Sequence, residues 1–360
     1  MRFLLVDPGA TFSTFDVYTG VRDALRGLGH TVIEYRHSRR LDVVSKAFEF
    51  VWQERYDRGI REPKPNDADT ALWVSELSVT WALRHQPIDM MIVVSSMFYH
   101  PDALILARRA GLKTGILFTE SPYAVNNEGY MAQLADVVWT NERSVVYALS
   151  RANANCHYLP HAFNPLVHSP TPSPEEPTDV PAHDVVFVGT GFRERIALLE
   201  AVDWSGIDFG LYGSWMLADD SPLRAHLRDG VVVNRRACAL YRKAKVGLNL
   251  FRRSLGFGPA TPLITHEAES LGPRSYELAA CGCFSVSEYR AEVEEVFGSL
   301  VPTFRTSGEL ETAIRRWLSD SAGREDIKRR LPEAVAPHTW SARAQQMTAT
   351  IEGMLTGTVA

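Results

Sequence analysis

The sequence predicts an α/β protein built from two Rossmann-like, doubly wound domains, and three observations carry that prediction. Short β-branched apolar runs alternate with helix-patterned segments through the first 165 residues, and the alternation restarts at Asp184; this pattern marks βαβ units around a parallel sheet. A chain of 360 residues exceeds the size at which one hydrophobic core usually keeps growing. Between the two series, Asn164 to His183 is rich in Pro, Thr, Ser and Glu, with prolines at 165, 170, 172, 174, 177 and 181. Such a segment cannot sustain regular structure and reads as an interdomain linker.

In chain order, the expected strands of the first domain are Phe3 to Val6, Thr31 to Tyr35, Met90 to Val94, Thr114 to Phe118, Val137 to Thr140 and His157 to Leu159. The helix between the first two runs from Tyr18 to Leu28, with Val21, Leu25 and Leu28 on one face and Gly29 as its stop. Residues 40–85 carry two more helical patterns, Leu41 to Tyr56 and Ala71 to Leu83, joined by a polar loop, and read as an insertion. The domains are therefore 1–165, a linker at 166–183, and 184–339, with 340–360 as a C-terminal helix placed to cross back to the first domain. In the second domain a strand at Asp184 to Gly189 leads into a helix from Arg193 to Val202. Further strands are expected at Asp208 to Tyr212, Gly230 to Val233, Val246 to Leu250 and Phe284 to Val286.

Composition narrows the function classes. With 45% hydrophobic and 22% charged residues the chain is an ordinary folded protein. A formal net charge of −5 leaves no global footprint for binding nucleic acid through many phosphates, although Arg36, Arg39 and Arg40 form a local basic cluster. The four cysteines lack metal-ligand spacing and read as reduced thiols. The apolar run at the N-terminus is too short for a signal peptide, and no stretch approaches the roughly 20 apolar residues needed to span a bilayer. The cytoplasm is the expected location.

The most informative stretch is Glu269-Ser-Leu-Gly272-Pro-Arg274-Ser275-Tyr-Glu277-Leu-Ala-Ala-Cys-Gly282, in which two carboxylates eight residues apart bracket a Gly-Pro loop. The order places Gly272, Arg274, Ser275 and Glu277 at a helix N-terminus, where free N–H groups and the positive end of the dipole favour a diphosphate. Arg274 adds a charged donor, and Glu277 is a hydrogen-bond acceptor suited to ribose hydroxyls. A second constellation, Phe187-Val-Gly189-Thr190-Gly-Phe-Arg193-Glu-Arg195, runs a strand through a glycine loop into a helix with two arginines. Tyr212-Gly213-Ser214-Trp215 ends another strand of that domain, where loops of an open parallel sheet line the ligand crevice; Trp215 reads equally as pocket wall or packing. The basic residues of Tyr241 to Lys245 read as a solvated face. In the first domain Glu120 and Tyr123 follow a strand and face the expected cleft, and His161, just before the linker, faces the cleft or caps the hinge. Asp67-Ala-Asp69 spells a D-x-D string, but its setting between helices argues against a metal site.

The Glu269 to Gly282 stretch resembles the E-x7-E signature of retaining GT-B glycosyltransferases, with Glu269 and Glu277 as its two acids and Gly272 as its loop glycine. Along the chain, Glu120-Ser-Pro-Tyr, Leu159-Pro-His-Ala, Asp184-Val-Val-Phe-Val-Gly-Thr, Arg274-x-x-Glu277 and His338-Thr-Trp-x-x-Arg343 are together similar to the spore-maturation-protein-like branch of the family 4-like enzymes. The resemblance implies a GT-B fold with two domains facing across a cleft and transfer of a sugar from a UDP- or GDP-sugar to an acceptor hydroxyl. It implies retention of configuration and no required cofactor or metal. Glu269 would lie by the donor sugar, Glu277 would bind the ribose, and Arg195 or Arg193 would meet the diphosphate. Gly189, Thr190, Tyr212, Gly213 and Ser214 would line the nucleotide site. Glu120, Tyr123 and His161 would serve the acceptor side or the chemistry. The acceptor stays open between a glycan, a small molecule, a protein and a modified nucleic-acid base. Two rival readings are a nucleotide-sugar epimerase of the same fold and a non-catalytic nucleotide-sugar-binding protein.

Overall fold

The computed structural model describes residues 1–10, 13–256, 261–264 and 267–357. The chain divides into two compact units, Met1–Pro160 with Trp340–Ala360, and His161–Thr339.

In the first unit the elements are β1 (Arg2–Val6), α1 (Ser13–Gly27), β2 (Thr31–Tyr35), α2 (His37–Asp57), α3 (Asp67–Arg84), β3 (Met90–Val94), α4 (Pro101–Arg109), β4 (Thr114–Phe118), α5 (Val125–Ala132), β5 (Val137–Thr140), α6 (Val146–Ser150) and β6 (Cys156–Tyr158). Strands β3, β4 and β5 are buried along their whole length. That is what a parallel strand covered by helices on both faces requires, and why these runs are continuously apolar instead of alternating. The sheet is parallel in the order β2-β1-β3-β4-β5-β6. Its strand order reverses between β1 and β3, which places a ligand crevice at their carboxyl ends.

The second unit holds β7 (Val185–Val188), α7 (Arg193–Glu200), β8 (Phe209–Tyr212), α8 (Asn234–Lys243), β9 (Val246–Asn249), α9 (Pro273–Ala280), β10 (Ser285–Glu288), α10 (Ala291–Phe297), β11 (Thr303–Phe304), α11 (Ser307–Ser319) and α12 (Ser321–Val335). Its parallel sheet runs β11-β10-β9-β7-β8, so the order reverses between β7 and β9. Phe187, Phe209, Tyr276 and Phe284 fill the core around it. Helix α9 ends at Gly282 (φ +65°), where the N–H groups of Gly282 and Cys283 return to the carbonyls of Ala279 and Leu278. This left-handed stop turns the chain directly into β10.

The last helix, α13 (Trp340–Thr356), belongs to the first unit and packs along α1. Gly20 lets the Trp340 ring approach: a Cβ at position 20 would lie 2.2 Å from the ring's Cδ1. Residues 358–360 of the expected C-terminal segment lie outside the described residues.

Three readings change. Gly230 to Val233 is not a strand but the loop before α8; Val231 and Val233 are exposed there, so the β-branched run finds no sheet to join. Asp67 and Asp69 do not sit in a loop but open α3, where Asn66 and Asp69 form a capping box: the Asn66 side chain accepts from the Asp69 amide, and the Asp69 carboxylate accepts from the Asn66 amide. The residues from 164 to 183 lack regular structure as expected, yet they lie within the second unit and are bound to α8. Arg242 donates to the Ser169 carbonyl and to Glu176, Lys243 to the carbonyls of Thr178 and Val180, and Arg235 to Ser173 Oγ. A proline-rich segment has carbonyls that no ladder satisfies, and the basic face expected to be solvated supplies their donors. Among the described residues no helix is long and apolar enough to cross a membrane, and the four cysteines are free thiols.

Candidate functional site

The carboxyl ends of β7 and β9, where the second sheet reverses its order, bring together most of the expected residues of that domain. Strand β7 delivers the Gly189 to Phe192 loop, and β9 delivers Leu250 to Arg253. Helix α9 begins beside both, with Gly272 as its N-cap and Pro273 in its first turn.

Two guanidinium groups converge there. Arg274 donates from Nε to the Val188 carbonyl at 2.8 Å and from Nη1 to the Leu250 carbonyl at 3.3 Å. Arg195 donates to the same Leu250 oxygen at 2.8 Å, to the Thr190 carbonyl at 2.9 Å and to the Phe251 carbonyl at 3.4 Å. Both stand over the Phe187 ring, Arg274 at 4.7 Å and Arg195 at 5.5 Å from its centre. Arg195 is only 7% exposed, so its donors are spent on closing the crevice floor. Arg274 is partly exposed, and among the described residues no carboxylate lies within ion-pair distance of it. Two like charges that share one carbonyl oxygen create a positive field at the mouth of the crevice. Arg193, in the first turn of α7, is exposed and donates to the Thr261 carbonyl at 2.9 Å.

Glycines make this convergence possible. A Cβ on Gly189 would lie 2.4 Å from Arg274 Nη2, and one on Gly191 would lie 2.4 Å from the Trp215 ring. Gly213, at φ +118°, lies so close to the first loop that a Cβ would come within 2.0 Å of the Gly189 carbonyl oxygen. The two loops are laced by bonds from the Gly189 amide to the Tyr212 carbonyl at 3.0 Å and from the Gly191 amide to the Ser214 carbonyl at 2.8 Å. Tyr212 serves the site through its backbone. Its ring is buried on the other side of the sheet, with its hydroxyl 2.8 Å from His183 Nε2. Trp215 caps the loop by donating to the Tyr212 carbonyl at 3.1 Å and stacks edge-on against Phe187.

The two acids of the Glu269 to Glu277 pair differ in environment. Glu269 is exposed, ahead of α9. Glu277 lies one turn inside that helix, with its side chain 17% exposed and Oε1 3.8 Å from His168 Nε2. Burial pushes its carboxyl up to about 7, with the Arg274 charge pulling the other way. Ser275 points inward, where its Oγ accepts from Asn249 Nδ2 at 2.9 Å, and Asn249 also reaches Ser287 Oγ at 2.9 Å. Sequence reasoning passed over Asn249 and Glu288. Glu288 closes β10 by accepting from the Phe251 amide at 2.9 Å and from Arg253 at 2.5 Å. Both end strands, which is the one signal that pointed to them.

In the first unit Glu120 and Tyr123 follow β4, both half-buried. They adjoin a buried polar chain in which Thr140 Oγ1 donates to Ser121 Oγ at 2.9 Å and Ser121 Oγ donates to Glu128 Oε2 at 2.5 Å. Burial pushes the Glu128 carboxyl up to about 7; the Ser121 bond works against that shift and the Glu120 charge adds to it. Glu128 escaped notice because it sits in a short helix with no motif around it. His161 opens the second unit and is buried.

Against known proteins, residues 193–349 match the family model described as glycosyl transferase-like. A search of the curated proteins finds no match. Among solved structures, a sucrose-phosphate synthase from Thermosynechococcus elongatus superposes with a TM-score of 0.63 at 14% identity, covering 99% of this chain and 100% of that one. An alpha,alpha-trehalose 6-phosphate synthase from Burkholderia multivorans gives 0.63 at 13%, covering 99% and 97%. The fold is GT-B. An alpha-glucosyltransferase solved in complex with UDP shares this GT-B fold, with a TM-score of 0.58 at 10% identity over 98% of this chain and all of that one. At such identities the likeness speaks for the fold alone.

Proposed function

We propose that the protein is a glycosyltransferase that moves a sugar from a UDP- or GDP-sugar, bound by the second unit, to an acceptor hydroxyl. The observation that carries this reading is the pair of arginines over Phe187 at the strand-order reversal, one of them with no carboxylate partner among the described residues. A diphosphate matches that field, and the α9 N-terminus beside it adds the positive end of the helix dipole. Arg274 then compensates the charge that builds on the departing diphosphate, so that no metal is required for it, while Arg195 holds the crevice floor. Glu277 accepts from the ribose hydroxyls, and Glu269 lies by the donor sugar. The glycosyl transferase-like match over 193–349 includes all four of these residues and supports the assignment, and the UDP found in a protein of the same fold supports a uridine donor.

The E-x7-E resemblance favours retention by same-face displacement through an oxocarbenium-like state. Glu120 and Tyr123 are proposed for the acceptor side. The test is a thermal-shift screen against UDP, GDP, ADP and their sugars, with Glu277→Ala alongside, since a ligand that binds only the folded state raises Tm by mass action. A shift with one nucleotide family that vanishes in the variant is the expected result. An unchanged shift in Glu277→Ala would move the site elsewhere. Product analysis without acceptor separates transfer from epimerisation.

A further inference from the structure

The segment before β7 carries a residue whose protonation is dictated by its own turn. Asn164-Pro165-Leu166-Val167-His168 folds tightly: Asn164 Oδ1 accepts from the Leu166 amide at 3.0 Å, and the Asn164 carbonyl accepts from the amides of Val167 at 3.0 Å and His168 at 2.8 Å. Such a turn is what an Asx residue followed by proline favours. The Asn164 amide itself points at His168 Nδ1, 3.3 Å away. A backbone N–H can only donate, and the Asn164 carbonyl, 3.3 Å from Nδ1, already accepts from two amides. Nδ1 is therefore the acceptor, and the proton of the neutral ring sits on Nε2.

That Nε2–H faces Glu277 Oε1 at 3.8 Å, beyond hydrogen-bond length but between side chains only 5% and 17% exposed, where the dipole acts at short range. The other groups around Glu277 are Arg274 on its own helix and Cys238 and Tyr241 on α8. Cys238, buried and donating to the Val167 carbonyl at 3.5 Å, and the buried Tyr241 are both held neutral. His168 and Arg274 are thus the two groups placed to favour the carboxylate over the carboxylic acid. A ribose diol is best recognised by the carboxylate, since the acid form loses an acceptor position.

We propose that His168 is a positioning residue for Glu277: its Nε2–H, locked by the Asn164 amide, engages Oε1 and leaves Oε2 to the hydroxyls of the nucleotide. The role rests on the reading of Glu277 as the ribose acceptor. It assigns to the proline-rich segment a part in donor recognition that its composition does not suggest.

The experiment has two arms. In the first, protein carrying 13C-carboxyl-labelled glutamate is titrated by NMR without ligand, with Glu277→Gln identifying the resonance. The second measures UDP and GDP affinity by calorimetry from pH 5.5 to 8.5. Each arm compares wild type with His168→Phe and His168→Gln. Loss of His168, one donor to the carboxylate, should raise the Glu277 midpoint by about half a unit or more. Nucleotide affinity near pH 6.5 should fall by about tenfold in His168→Phe, with a smaller loss at pH 8.5 and partial recovery in His168→Gln, whose amide can donate. An unmoved Glu277 titration, or an affinity loss equal at every pH, overturns the proposal in favour of a packing role. A wild-type protein that binds neither nucleotide overturns the donor-site reading itself, and that result is separate because the NMR arm reads the His168 to Glu277 coupling without ligand.

Discussion

Arg274 fills the space that a side chain on residue 189 would need: a Cβ built on Gly189 lies 2.4 Å from Nη2 and 3.2 Å from Cζ of that arginine. The glycine is thus a precondition for the guanidinium's position between β7 and β9. Its backbone is not in the left-handed region, so what it supplies is room, not conformational freedom.

Gly189→Ala should therefore leave the fold almost intact, because the atom in conflict is the far end of a flexible side chain. Tm is expected within a few degrees of wild type, while affinity for the donor nucleotide falls by about tenfold or more as Arg274 is displaced. Thermal denaturation paired with calorimetry checks both halves. A variant that binds normally would show that Arg274 does not act from this position.

Gly213→Ala should behave in the opposite way. Its Cβ meets backbone, the Gly189 carbonyl, at 2.0 Å, and its φ of +118° is one that side chains rarely adopt. A loss of about 2 kcal/mol or more in urea unfolding is expected, because neither the loop nor the dihedral can relax cheaply.

Glu128 predicts a pH dependence of stability. Its carboxyl titrates near 7 in the folded protein against 4.5 for a free group. The folded state therefore holds the proton more tightly, and between these values the unfolded state has lost it. The contribution is fully present below about pH 4.5, declines as pH rises and is gone above about 7. Glu277 shifts in the same direction over the same window. Replacing Glu128 by Gln, which stays neutral, should flatten this fall by up to about 3 kcal/mol between pH 5 and 8, as read from urea midpoints. A profile unchanged by the substitution would place the titration elsewhere.

Gly20→Ala tests the docking of α13. The added methyl meets the Trp340 ring at 2.2 Å, and overpacking of this kind costs about 1–3 kcal/mol. Equilibrium unfolding should show that loss, and the buried ring of Trp340 should report a changed fluorescence.

Much of the fold was legible because parallel strands buried on both faces are continuous apolar runs: Met90–Val94, Thr114–Phe118 and Val137–Thr140 match residue for residue, and the partly exposed edge strand Thr31–Tyr35 matches as well. Gly230 to Val233 has the same β-branched composition and failed, since a strand also needs an edge to pair with. The expected crevice residues Gly189, Gly213 and Arg274 do come together, for glycine-rich strand ends and a helix start are local features.

What local sequence determined is which segments become strands and helices and where each strand ends in a loop, because the signals for burial, capping and turning act over a few residues. Only the tertiary structure decided how the side chains in those loops divide their work. Arg195 and Arg274 are both arginines at the carboxyl ends of β7 and β9, yet one is spent on three carbonyls and the other keeps a partly exposed guanidinium. Tyr212 and Ser275 point into the protein, and His168 reaches Glu277 from a segment over a hundred residues away. Those outcomes depend on which carbonyls and carboxylates the sheet order brings within hydrogen-bonding reach, and strand order is a property of the packed chain that no single stretch encodes.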